Sequence, residues 1–153
     1  MSNVEHIISG RLLNDPPMPA EDLARIHVPD EGDAKERWDS LVDPRGGHLW
    51  RLPKDSWPRR TIVAGPSLYE YHDDWNADRV PAMQRLLAGL LPPESTVFVL
   101  WMRPVAARTV HNVLCRNWMN FLFDDEGVVI RSEADGPGAV LASGKIWFYT
   151  NGA

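Results

Sequence analysis

The clearest periodicity lies in the middle of the chain. Met83, Leu86, Leu87, Leu90 and Leu91 fall at i, i+3, i+4, i+7 and i+8, the stripe of an amphipathic helix. Asp78 is placed to cap it, Pro81 sits early in its first turn, and Pro92-Pro93 ends it. Thr96–Met102 follows as a β-branched, aromatic and almost wholly apolar run. It predicts a central strand covered on both faces.

The other patterns are shorter. Pro19 opens a helix with Glu21 and Asp22 in its first turn and Leu23 and Ile26 on its apolar edge; His27-Val28-Pro29 closes it. Asp33 is read as the N-cap of a helix over Ala34–Val42, with Ala34, Trp38, Leu41 and Val42 on one face. Pro44, Gly46, Gly47, Pro53 and Pro58 make residues 44–60 an irregular loop, and Thr61–Ala64 a short strand after it. Leu68, Tyr71 and Trp75 sit at helical spacing, so Ser67–Asn76 leans towards helix. Pro104 is read as opening a helix that carries Val110, Val113, Leu114 and Trp118 and ends near Asn120.

Turn chemistry at Asp124-Asp125-Glu126-Gly127 then introduces a meander. Strands are predicted at Val128–Arg131, Ala139–Ala142 and Lys145–Thr150, with turns at Asp135–Gly138 and Ser143-Gly144. Helices dominate the first half and antiparallel strands the second. The expected fold is α+β: one domain over residues 1–153, with N-terminal helices packed on one face of a mainly antiparallel C-terminal sheet.

Charge narrows the partners. The net charge of −5 argues against general affinity for nucleic acid and is compatible with a basic protein partner. The charge is blocked: residues 44–60 carry Arg45, Arg51, Lys54, Arg59 and Arg60, and residues 61–80 carry Glu70, Asp73, Asp74 and Asp78. Cys115 is the single cysteine, so no intrachain disulfide can form, and a reducing compartment fits. The first residues lack the features of a signal peptide, and no apolar run is long enough to span a membrane. The expected location is cytoplasmic. Seven Trp suit either an indole-rich core or a binding face.

Catalytic signatures are sparse. The sequence contains no G-x-S-x-G, S-x-x-K or G-x-x-x-x-G-K-[ST]. Tyr71-His72-Asp73-Asp74 gathers an imidazole and two carboxylates, either a fragment of a metal or acid–base site or a solvated turn. His111 and Cys115 are four apart, hence neighbours on a helix. They read as a nucleophile with its base, or as an inert thiol among Val110, Leu114 and Trp118. Trp50 and Trp57 among the cations of residues 44–60 could stack on single-stranded nucleic acid, or belong to a loop lying on neighbouring acids. No cofactor or metal is implied.

Two stretches resemble a family of small uncharacterised bacterial proteins, a domain of unknown function. They are Met18-Pro19-Ala20-Glu21-Asp22-Leu23-Ala24-Arg25-Ile26 and Arg116-Asn117-Trp118-Met119-Asn120-Phe121-Leu122-Phe123-Asp124-Asp125, with the Val97–Trp101 strand at the corresponding place. The resemblance covers the ends of the chain better than residues 40–95. It implies a bacterial source and a shared fold, and it brings no catalytic residues. In size, acidity and α+β type the chain is also similar to immunity proteins of bacterial toxin systems.

The expected function is therefore a non-enzymatic protein-binding protein, in its most specific form an immunity protein that neutralises a basic toxin domain. The residues assigned to the partner are Glu70, Asp73, Asp74, Trp75 and Asp78, then Asp124, Asp125 and Glu126. The alternatives are a metal-dependent hydrolase built on His72, Asp73 and Asp74, and a structural protein that self-associates through exposed Trp.

Overall fold

The structure is a computed structural model that describes residues 18–70, 80–90, 92–122, 127–132 and 136–149. Its elements run α1 (Ala20–Leu23), α2 (Glu31–Leu41), a 3-10 turn (Leu49–Arg51), α3 (Trp57–Ala64), β1 (Tyr69–Glu70), α4 (Val80–Ala88), β2 (Thr96–Met102), β3 (Val105–Val110), α5 (His111–Arg116), a second 3-10 turn (Trp118–Phe121), β4 (Val128–Ser132), β5 (Gly138–Ala142) and β6 (Lys145–Tyr149). The strands form one six-stranded antiparallel sheet in the order β1-β6-β5-β4-β2-β3. The chain is α+β, as expected, with helices on both faces of the sheet instead of one.

Alternation along the strands builds two cores. Val97, Val99 and Trp101 of β2 join Ile130, Leu141 and Ile146 on one face, under Met83 and Leu87 of α4 and Leu114 of α5. Phe98 and Leu100 join Val129, Val140 and Ala142 on the other, under Trp38 of α2, Leu49 and Trp57 of α3. Strand β2 is buried on both sides, which explains its unbroken apolar run. Of the six described Trp, Trp38, Trp57, Trp101 and Trp118 are buried, so most of the indole is core.

One transverse row of residues crosses the second face. The registers pair His27 with Arg108, Arg108 with Phe98, Phe98 with Arg131, Arg131 with Gly138, and Gly138 with Tyr149. Paired residues point to the same side of a sheet. The row therefore carries cation, ring, cation, gap and ring from one end of the sheet towards the other.

Several predicted elements change. Helix α2 starts at Glu31, because Asp30 is the N-cap: its carboxylate accepts from the Asp33 N–H at 2.8 Å. Thr61–Ala64 lies in α3, not in a strand. Pro58 sits in the first turn, where its missing N–H is harmless and its fixed φ starts a helix. Residues 105–110 are strand β3, not helix: Pro104 lies in the β2–β3 turn, and helix begins only at His111. Tyr69 and Glu70 form a strand paired with β6, and the rest of the helix expected over residues 67–76 lies outside the described residues from Tyr71 on. Asp78 and Leu91 lie outside them too. The Ser143-Gly144 hairpin is borne out, with φ of 54° and 75°, the pair of left-handed residues that a tight two-residue turn requires.

The short helix α1 is held from a distance. Asp22 is buried and accepts from the Arg116 guanidinium at 2.6 Å and from Asn117 Nδ2 at 2.9 Å. The Arg116 hydrogen bond, then the one from Asn117, holds its carboxyl below the usual range against the cost of burial.

Candidate protein-binding groove

Helix α3 lies along β6, and the two leave a groove of about 540 Å³ between them. Trp57, Trp147 and Tyr149 supply its aromatic surface, Arg60 stands on the helical wall, and Leu68 closes the end beside β1. Leu68 is 54% exposed, and Val63, on the outer face of α3, is 83% exposed. Trp147 and Tyr149 share a face because they are two apart on a strand.

The aromatic floor is fixed before anything binds. Trp57 donates its indole N–H to the Leu41 carbonyl at 2.9 Å. Its ring meets Tyr149 at 4.6 Å between centroids. Trp147 donates to the Gly65 carbonyl at 3.3 Å. Gly138 lets Trp57 lie close on the sheet: a Cβ there would sit 2.6 Å from the Ile130 carbonyl oxygen and 3.3 Å from the Trp57 ring.

Beneath this floor lies a buried cation. Arg131 is 6% exposed, and its guanidinium carbon stands 4.9 Å from the Trp57 ring and 5.1 Å from Tyr149. It donates to the Gly136 carbonyl at 2.9 Å and the Leu41 carbonyl at 3.1 Å. Carbonyls and two ring faces replace the carboxylate that a buried Arg would otherwise need. Arg131 and Trp57 thus share the Leu41 carbonyl and lock each other.

Of the residues expected to meet a partner, Glu70 is described. It is exposed on β1 opposite Lys145. Lys145 and Trp147 are two apart on β6, so Glu70 shares a sheet face with the groove. Asp73, Asp74, Trp75, Asp78, Asp124, Asp125 and Glu126 lie outside the described residues, as does His72. Among the described residues no group of three or more His, Cys, Asp and Glu side chains could hold a metal ion.

The expected His111–Cys115 contact forms, with Sγ 3.4 Å from Nε2. Its surroundings disfavour a thiolate. His111 Nε2 also meets the Leu87 carbonyl oxygen, which can only accept, so Nε2 carries the proton and has no lone pair to offer the thiol. Burial pushes the thiol up to about 11, outweighing the opposing charge of Arg116. The pair borders a groove of about 350 Å³ between α4 and α5.

The basic segment packs on acids in part. Arg45 bonds Asp43 at 2.7 Å and Asp55 at 3.1 Å, while Arg59 lies 5.5 Å from the Trp50 ring.

Sequence reasoning missed the groove. Trp147 and Tyr149 are legible as one face of a strand, but the prolines and glycines of residues 44–60 mark Trp57 as loop, and nothing ties it to residues 90 positions further on. A family model described as Protein of unknown function (DUF2947) matches residues 12–148. No curated protein and no solved structure matches the chain.

Proposed function

We propose that this chain, which belongs to the family of proteins of unknown function DUF2947, is a non-enzymatic protein-binding protein. The aromatic groove between α3 and β6 carries the reading. Trp, Tyr and Arg dominate the energy of protein interfaces, and the groove brings Trp57, Trp147, Tyr149 and Arg60 together. Its floor is pinned by hydrogen bonds and stacking, so a partner would meet a preorganised surface and little side-chain entropy would be lost. The non-enzymatic part of the reading is supported by the raised thiol of Cys115 and the occupied nitrogen of His111.

Neutralisation of a basic toxin domain is the narrower form. Glu70 supports it, being exposed on the groove's face and followed in sequence by Asp73, Asp74, Trp75 and Asp78. Arg60 on the helical wall adds a positive charge to the groove itself. The partner that fits best presents an apolar anchor flanked by charge, with its cations towards Glu70.

The test is capture of partners by the tagged protein from its own organism's lysate, at low and high salt, with Trp147→Ala and Tyr149→Ala alongside. Wild type is expected to retain one stoichiometric partner. Either variant should weaken it about thirtyfold, the ~2 kcal/mol of a hot-spot residue, with circular dichroism unchanged. The same partner held equally by both variants would rule the groove out. For the narrower form, Asp73→Asn, Asp74→Asn and Asp78→Asn together should remove the salt-sensitive part of binding. Unchanged binding would remove the acid patch.

A further inference from the structure

A second cleft opens at the opposite end of the transverse row. It holds about 190 Å³ and lies between α2, the residues before it, and the β2–β3 hairpin. That is the liquid volume of roughly six waters, so it suits a small molecule rather than a peptide. Phe98 forms its floor, and Arg37 and Arg108 stand around that ring. Arg108 is the register partner of Phe98, and the Arg37 guanidinium carbon lies 4.9 Å over the ring centroid.

The cleft also holds Asp33 and Glu36, yet neither arginine pairs with them or with any other described carboxylate, whereas Arg25, Arg45, Arg103 and Arg116 all have acid partners. Asp33 and Arg37 are four apart on α2, the spacing at which a helix ordinarily closes an ion pair. Arg37 lies over the Phe98 ring instead, and no described carboxylate takes up its planar fork. The burial is ordered as well. Arg37 and Arg108 are half-buried, and Asp33 and Glu36 are exposed.

We propose that this cleft binds a small zwitterion of the free amino-acid class. The carboxylate enters between Arg37 and Arg108, and the ammonium stays outside with Asp33 and Glu36. Two like charges in one half-buried cleft are stabilised by an anion between them, and a guanidinium fork matches a carboxylate in geometry. A simple anion would leave the rim acids idle and repelling. A simple amine would leave the arginines unpaired.

The twenty L-amino acids are screened singly at millimolar concentration by thermal shift of the full chain, and hits are titrated by calorimetry. At least one should raise the melting temperature. Its N-acetyl derivative and its decarboxylated amine should each bind at least about tenfold more weakly, and so should Arg37→Gln and Arg108→Gln, since each change removes a charge-assisted hydrogen bond. Arg108→Lys keeps the charge and loses the fork, so it should also weaken binding, which covers the case in which Arg108→Gln does not fold. The proposal is overturned if none of the twenty binds, if acetate or phosphate binds as well as the best amino acid, or if Arg37→Gln leaves affinity unchanged.

Discussion

Alkylation of Cys115 separates a binding protein from a thiol enzyme. An ordinary thiol, near 8.5, is about one quarter thiolate at pH 8. With its thiol pushed up to about 11, Cys115 is about one part in a thousand thiolate at the same pH. Since the thiolate is the reacting form, titration alone slows attack roughly two-hundredfold. Access slows it further, because the side chain is 8% exposed on the floor between α4 and α5. Iodoacetamide at pH 8 should therefore modify the native protein at least about a hundredfold more slowly than the urea-unfolded chain, followed by intact-mass spectrometry. The sign of the linkage is fixed as well. A folded value above the unfolded one means that the neutral thiol is favoured by folding. Its contribution to stability is complete below about 8.5 and is lost as pH climbs towards 11. A Cys115→Ala variant lacks this group, so its stability should fall less than wild type over that window. Native alkylation at the unfolded rate would refute the reasoning and return His111–Cys115 to the list of catalytic pairs.

Two further predictions concern the scaffold. Asp22→Asn should cost about 2 kcal/mol, less than a fully buried pair because Arg116 is half exposed, and should lower the melting temperature by roughly 4–8 °C. Because the Asp22 carboxyl is held below its ordinary value, that advantage exists above about pH 3.9 and fades as pH falls through the lowered value, so a constant gap between wild type and variant at acid pH would count against the ion pair. Gly138→Ala should destabilise by roughly 1–3 kcal/mol, because the new Cβ meets the Ile130 carbonyl and the Trp57 ring. Displacement of Trp57 should change the near-ultraviolet circular dichroism. An unchanged spectrum and melting temperature would show that the close seat of Trp57 is not what Gly138 provides.

The sequence revealed the elements whose burial is simple. Met83, Leu87 and Leu90 all reached one core, and Thr96–Met102 is the strand that its β-branched run implied. It misled where a short segment took its state from a neighbour. Val105–Val110 pairs along the full length of β2, and that ladder outweighs the helical spacing that starts at Val110. Pro58 reads as a breaker in a proline-rich stretch, though in a first turn it is a helix opener. Cys115 and His111 were legible as neighbours from their spacing alone. An inert thiol is also a reading that Val110, Leu114 and Trp118 offer; what the sequence does not show is the Leu87 carbonyl, 24 positions away, that meets His111. The groove and the small cleft were invisible for the same reason. Each is assembled from a helix packed on strands distant from it in sequence, and no local pattern encodes that packing.

Strand order also sets when the groove can exist. The β2–β3, β4–β5 and β5–β6 pairs join neighbours in sequence, and their short loops close at little entropic cost. The β1–β6 pair instead closes across about half of the chain, joining Tyr69 to Ile146. Trp57 and Leu68 wait on the far side of that closure for Trp147 and Tyr149. During synthesis the surface is therefore absent until Tyr149 has left the ribosome, and a partner that reads the groove can recognise only chains whose sheet is already complete.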